Sequence, residues 1–258
     1  METDVRSLRG SRKHVLDWTA RREFVVELLQ MIAPVDACIS RESTWMPRGY
    51  RSPDEARLES FGPEVLPEHR AWKILRDWWL AHERGANTPN WDIAVGCDIA
   101  GSPGLVLVEA KANVPELGQG GKLVGSDASA SSQENHRRIG QAIDEACAAL
   151  RRISDATAIS RDSHYQLSNR LAFAWKLASL GIPTVLVYLG FIGDDGIRDV
   201  GQPFRDDSHW RRVFADYIRP VAPQELFERR LECGAAPAWF LVRSRPVLST
   251  SPQRQPEN

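Results

Sequence analysis

The chain has 258 residues, 42% of them hydrophobic, with 33 basic against 34 acidic side chains. That length and apolar fraction argue against disorder and supply enough material for one large core, and no run approaches the ~18 consecutive apolar residues of a membrane-spanning helix. A formal net charge of -1 removes any global attraction for polyanions but leaves room for a local basic groove.

The opening METDVRSLRGSRKH lacks the apolar run of a secretory signal, so a cytoplasmic protein is expected. Cys38, Cys97, Cys147 and Cys233 lie far apart with no C-x-x-C pair, which predicts reduced thiols and no zinc knuckle. In chain order, Val15, Phe24, Val25, Leu28, Leu29 and Ile32 predict one helix from about Leu16 to Ile32. From Arg41 to Pro67 the density of proline and glycine predicts an irregular connection with a short helix at Pro53 to Ser60. Trp72, Leu75, Trp78, Trp79 and Leu80 then mark a helix from Pro67 to about His82, whose tryptophans are expected in the core.

Trp91 to Ile99 alternates large apolar with small or acidic side chains, and Leu105 to Ala112 is a β-branched apolar run; with Gly101 to Gly104 between them as a turn, the pattern predicts a β-hairpin. A Gly/Ser/Ala-rich loop from Asn113 to Ser132 leads into helices at Gln133 to Ile153 and Tyr165 to Leu180, the latter ended by Gly181. Thr184 to Phe191, apolar on both faces, reads as a central strand. Helices over Asp207 to Ile218 and Pro223 to Glu232 and a closing strand over Ala238 to Arg243 complete a single α/β domain across residues 1–248, with 249–258 as a disordered tail.

Glu109 and Lys111, two apart on a strand, share one face and sit inside an apolar run, where unpaired charges are costly. The hairpin brings Asp92 across from them, on a strand face whose other residues, Ala94, Gly96 and Asp98, are small or acidic and are expected to leave space above the sheet. Two carboxylates held close repel unless a cation lies between them, and hard oxygen ligands favour Mg²⁺ or Mn²⁺. An acid two places before a lysine is expected by chance about 0.7 times at this composition, so the hairpin context, not the tripeptide, carries the argument. The bland alternative is a structural salt bridge between Lys111 and Asp92 or Glu109.

Pro89-Asn90-Trp91-Asp92, a turn, and Glu109-Ala110-Lys111 resemble the PD-(D/E)XK nuclease superfamily, which includes the restriction endonucleases. The resemblance covers residues 64–192 in order. It implies a restriction-endonuclease-like core, a central mixed β-sheet flanked by helices, here with extra N- and C-terminal helices. It also implies a Mg²⁺-dependent endonuclease acting on nucleic acid, DNA being favoured, with no membrane partner. Asp92, Glu109 and the Ala110 carbonyl would be metal ligands, and Lys111 would act on the attacking water. Glu68, with Glu64 as the alternative, would be the acid from the first helix, and Gln166 a polar group near the site. The chain departs from the pattern in the three-residue step from Pro89 to Asp92, the long loop and the two helices before the next strand. Asn169 and Arg170, one helical turn past Gln166, and Arg137 and Arg138 on the preceding helix are candidate contacts to a nucleic-acid backbone. A rival reading is an inactive member of the fold that serves as a nucleic-acid or protein interaction module, and a small phosphate ester is a third possible substrate. The oligomeric state is left open, a homodimer among the options.

Overall fold

The computed structural model describes residues 8–40, 43–66, 70–82 and 86–248. In chain order the elements are α1 (Gly10–Thr19), α2 (Phe24–Met31), β1 (Ala37–Cys38), β2 (Trp45–Met46), β3 (Ala56–Arg57), α3 (Leu58–Val65), α4 (Ala71–Trp79) and β4 (Asn90–Trp91). They continue with β5 (Ile93–Ile99), β6 (Ser102–Lys111), α5 (Ala130–Arg151), α6 (Tyr165–Ser179), β7 (Thr184–Ile192), α7 (Asp207–Ile218), β8 (Arg230–Glu232) and β9 (Pro237–Pro246). The hairpin of β5 and β6 is joined by Ala100 and Gly101, both with positive φ (51° and 79°), the backbone that matches the right-handed twist of two paired strands. Asp98 accepts the Gly101 N–H and fixes that turn, so Ser102 to Gly104 belong to the strand and not to the connection.

The sheet is mixed, in the order β1-β5-β6-β7-β9-β8, with β2 also on β5. β5 and β6 are antiparallel, β7 and β9 follow in parallel through helical crossovers, and β8 closes antiparallel on β9. Period-two alternation divides β6 between two cores. Leu105 and Leu107 pack with α3 to α7, whereas Val106, Val108, Ala110 and Ala112 pack with Val15, Phe24 and Leu28 of α1 and α2. Each fully buried Val or Leu side chain among them contributes about 1.5–3 kcal/mol, enough to fix the register against a one-residue slip. Glu109 and Lys111 share the odd-numbered face, so the same alternation drives both charges toward α5 and α6. Among the described residues no helix is long and apolar enough to cross a membrane.

Several expectations are corrected. The single helix over Leu16 to Ile32 is two helices, because the chain turns at Ala20 to Glu23 and packs Trp18 edge-on against Phe24, ring centres 5.0 Å apart. The short helix expected at Pro53 to Ser60 begins at Leu58, after β3 has paired with β4. The helix expected over Pro223 to Glu232 is a short 3₁₀ turn followed by β8. Glu228, at φ 60°, turns the chain, and its carboxylate takes the Val242 N–H at 2.7 Å and the Arg243 guanidinium at 2.8 Å, so sheet pairing overrides local helical periodicity. Ala94 and Gly96 do not leave open space: Val65 of α3 fills it, and a Cβ on Gly96 would lie 2.6 Å from the Val65 Cγ1.

Gly190 of β7 pairs with Lys111 at the edge of the site. A Cβ there would lie 2.4 Å from the buried Trp210 indole. Gly190→Ala is expected to cost about 1–3 kcal/mol through overpacking, read as a lower urea midpoint with an unchanged slope.

Candidate active site

Asp92 lies one residue before β5. Since Ile93 pairs with Val108, Asp92 falls opposite Glu109. Its Oδ2 accepts the Ala110 N–H at 2.8 Å, which ties the carboxylate to the neighbouring strand. Glu109, only 1% exposed, is held from both sides: Lys111 Nζ lies 2.6 Å from Oε1 and Arg170 Nε lies 2.5 Å from Oε2. Arg170 comes from α6, donates through Nη1 to Asn169 Oδ1 at 3.0 Å, and rests its guanidinium carbon 4.6 Å from the centre of the buried Trp91 ring. These groups open onto a cleft of about 680 Å³, whose walls also include Glu55, Glu116 and Gln166.

The two carboxylates are pushed in opposite directions. Burial, reinforced by the Glu109 charge, raises Asp92 from the usual carboxylate range to about 7, against the opposing pull of Lys111 and the Ala110 N–H. Burial alone would raise Glu109 as well, but Arg170 and Lys111 together outweigh it and hold that carboxyl below its ordinary value. Near neutrality Glu109 is therefore a fixed anion and Asp92 is poised between its two forms. Tyr188 pairs with Glu109 across the parallel β6–β7 ladder, and its buried hydroxyl has no hydrogen-bond partner among the described residues. Burial pushes that phenol well above its usual range.

The structure brings Asp92, Glu109, Ala110, Lys111, Gln166, Asn169 and Arg170 to one cleft. Glu68 lies outside the described residues. Glu64 is exposed on α3 and does not line the cleft. The acid that faces the site from that part of the chain is Glu55, which accepts from Asn90 at 3.1 Å and whose charge helps to raise Asp92. Asn169 and Arg170 are buried beneath the site, so the expected backbone contact is replaced by the ion pair with Glu109. Arg137 is exposed on α5 and paired with Glu134, and neither it nor Arg138 lines the cleft. Sequence reasoning missed Glu55 because no periodicity marks a residue in a proline-rich connection. Tyr188 carried a readable signal: one phenol in an otherwise aliphatic central strand.

The donor set fits a hard divalent ion on its chemistry. Asp92 commits only Oδ2 to the backbone, and a cation between the two acids would relieve the repulsion that helps hold Asp92 near 7. Mg²⁺ retains several waters and needs only one or two carboxylates. Among the described residues no group of three His, Cys, Asp or Glu side chains is placed to share a metal. Asp92 and Glu109 would hold the ion, with the Ala110 carbonyl as the third oxygen that the sequence resemblance implies. No family model, no curated protein and no solved structure matches this chain.

Proposed function

We propose that this protein is a divalent-metal-dependent nuclease that hydrolyses phosphodiester bonds of nucleic acid, with DNA the favoured substrate, on a restriction-endonuclease-like core. The observation that carries the reading is the convergence of Asp92, Glu109 and Lys111, from adjoining segments of one hairpin, on a single open cleft. The order of α4, hairpin, α5, α6 and a strand parallel to β6 supports it.

When bound, a Mg²⁺ or Mn²⁺ ion supplies acidification of a water and polarisation of a phosphoryl oxygen. Asp92 and Glu109 supply the negative charge that holds such an ion, and the Ala110 N–H fixes the direction of Asp92. Lys111 places an ammonium at the edge of the carboxylate pair, suited to orient the attacking water or offset charge gathering on phosphorus. Gln166, part-buried at the cleft wall, positions the substrate by hydrogen bonding.

Incubation with single- and double-stranded DNA and RNA in Mg²⁺ or Mn²⁺ tests the reading. Metal-dependent cleavage is expected, at least tenfold weaker in Lys111→Met, whose aliphatic stem keeps the packing. An intact panel with every metal and nucleic acid rules the enzyme out. One observation favours an inactive interaction module: both Glu109 oxygens are already held by cations. That reading requires tight nucleic-acid or protein binding that chelator leaves unchanged.

A further inference from the structure

Glu109 has no oxygen to spare. Lys111 and Arg170 each hold one, the carboxylate is almost wholly enclosed, and the three groups together carry one net positive charge. A doubly charged ion that takes the free Oδ1 of Asp92 and reaches for Glu109 meets two buried cations there, and in a low-dielectric interior that repulsion opposes binding. Lys111 is anchored on the same strand as Glu109, two residues away, so the sheet itself keeps them together. Arg170 reaches over from α6 and depends on its rotamer.

Other polar groups stand ready to receive that guanidinium. Its Nη1 is already on Asn169 Oδ1. Tyr188, beside Glu109 in the sheet and near enough to Arg170 for the two to interact electrostatically, has a buried hydroxyl with no partner among the described residues. An unpaired buried hydroxyl is a cost that any new donor removes, and guanidinium carries five N–H groups in a rigid fork. The face of Trp91 lies under the guanidinium and keeps a cation–π contact through a small displacement.

We infer that Arg170 is a built-in cation that occupies the divalent-ion position at Glu109, transfers to Tyr188 when the metal enters, and thereby sets the metal affinity of the site. This rests on the metal-dependent reading above and adds a positioning residue to it. Arg170 acts through Glu109, and its removal strengthens metal binding instead of weakening it.

Mn²⁺ titration of the purified full chain at pH 7.5, followed by the electron paramagnetic resonance of the free ion, reads the effect without any turnover. Arg170→Gln is expected to bind Mn²⁺ at least tenfold more tightly than wild type, and Asp92→Asn to lose binding. Tyr188→Phe, which preserves the packing, is expected to weaken wild-type binding severalfold and to have no effect once Arg170 is glutamine. Mg²⁺ should change tryptophan emission in wild type, and Trp91→Phe should remove that change. Equal or weaker binding by Arg170→Gln, with binding still lost in Asp92→Asn, overturns the inference and leaves the metal site standing. If Arg170→Gln does not fold, Tyr188→Phe with unaltered Mn²⁺ affinity overturns it in the same way. No Mn²⁺ binding by wild type or Arg170→Gln overturns the metal-dependent reading itself, and the inference with it.

Discussion

Replacing Asp92 by asparagine is expected to stabilise the protein at pH 8 by about 2–4 kcal/mol while abolishing divalent-metal binding. The carboxyl titrates near 7 in the folded chain because it is surrounded by protein and faces the Glu109 charge. In the unfolded chain it titrates near its ordinary value of about 3.9. Between those two values the folded state binds a proton that the unfolded state does not, so this group's contribution to stability is full below about pH 4 and is lost as the pH rises through 7. The rise from that ordinary value to about 7, at about 1.4 kcal/mol per pH unit, sets the upper figure, and the solvent contact that Asp92 keeps in the cleft sets the lower. Asparagine is permanently neutral, nearly isosteric, and still offers an oxygen to the Ala110 N–H. At about 2–4 °C per kcal/mol for a chain of this size, Asp92→Asn should melt roughly 5–15 °C above wild type at pH 8. The gap should shrink to less than half by pH 5, where folded Asp92 is protonated, and close below about pH 4, where the unfolded chain is protonated as well. Thermal melts at pH 8 and pH 5 decide it: a variant that melts at or below wild type at pH 8, or a gap of equal size at both, removes the argument. A side chain kept at a loss of stability is what a binding role for Asp92 requires.

The hairpin was legible from the sequence because its two signals reinforce each other: alternation in Ile93 to Ile99, and a charge pair two apart in an apolar run. The register followed from the turn: Ala100 and Gly101 turn the chain one residue earlier than a turn centred near Gly101 and Ser102, and Asp92 meets Glu109, at one end of the expected Glu109 to Lys111 stretch. The central strand Thr184–Ile192 and the helices α5 and α6 were equally plain, since their apolar patterns are long. What stayed hidden is built from contacts distant in sequence. β1, β2 and β3 are two residues each and exist only because β5 or β4 offers them an edge. β8 lies in a segment with helical periodicity, and Glu228 redirects it by bonding to a strand that the sequence places fourteen residues later. Within the site, Gln166, Asn169 and Arg170 were placed on one helical face by spacing alone, and all three reach the cleft. Spacing says nothing about whether that face meets solvent or sheet. Arg170 was therefore read as a surface contact, when the alternation of β6 aims Glu109 straight at it.

Glu109→Ala is expected to destabilise the protein by about 3–5 kcal/mol, the cost of leaving a buried charge without its partner. Lys111 and Arg170 are 5% and 7% exposed, and both lose their carboxylate at once. The usual reading of such a loss is that a favourable pair has been removed; the physical content here is that two cations remain in a site shaped to neutralise them. The two readings separate when a second substitution is added. Glu109→Ala with Arg170→Leu should be more stable than Glu109→Ala alone, because one stranded charge is replaced by an aliphatic chain beside Trp91. Independent losses would instead make the double variant worse by the sum. Acid provides a further check, with the opposite sign to Asp92. Glu109 is held below the ordinary carboxylate range, so its contribution is present above about pH 4.5 and fades as the pH falls through the lowered folded value. Urea denaturation of the wild type and the single and double variants at pH 7.5 and below about pH 4.5 reads all three comparisons. A double variant no more stable than Glu109→Ala at neutral pH would mean that Arg170 is not held in place by Glu109, and the electrostatic account of the site would fail with it.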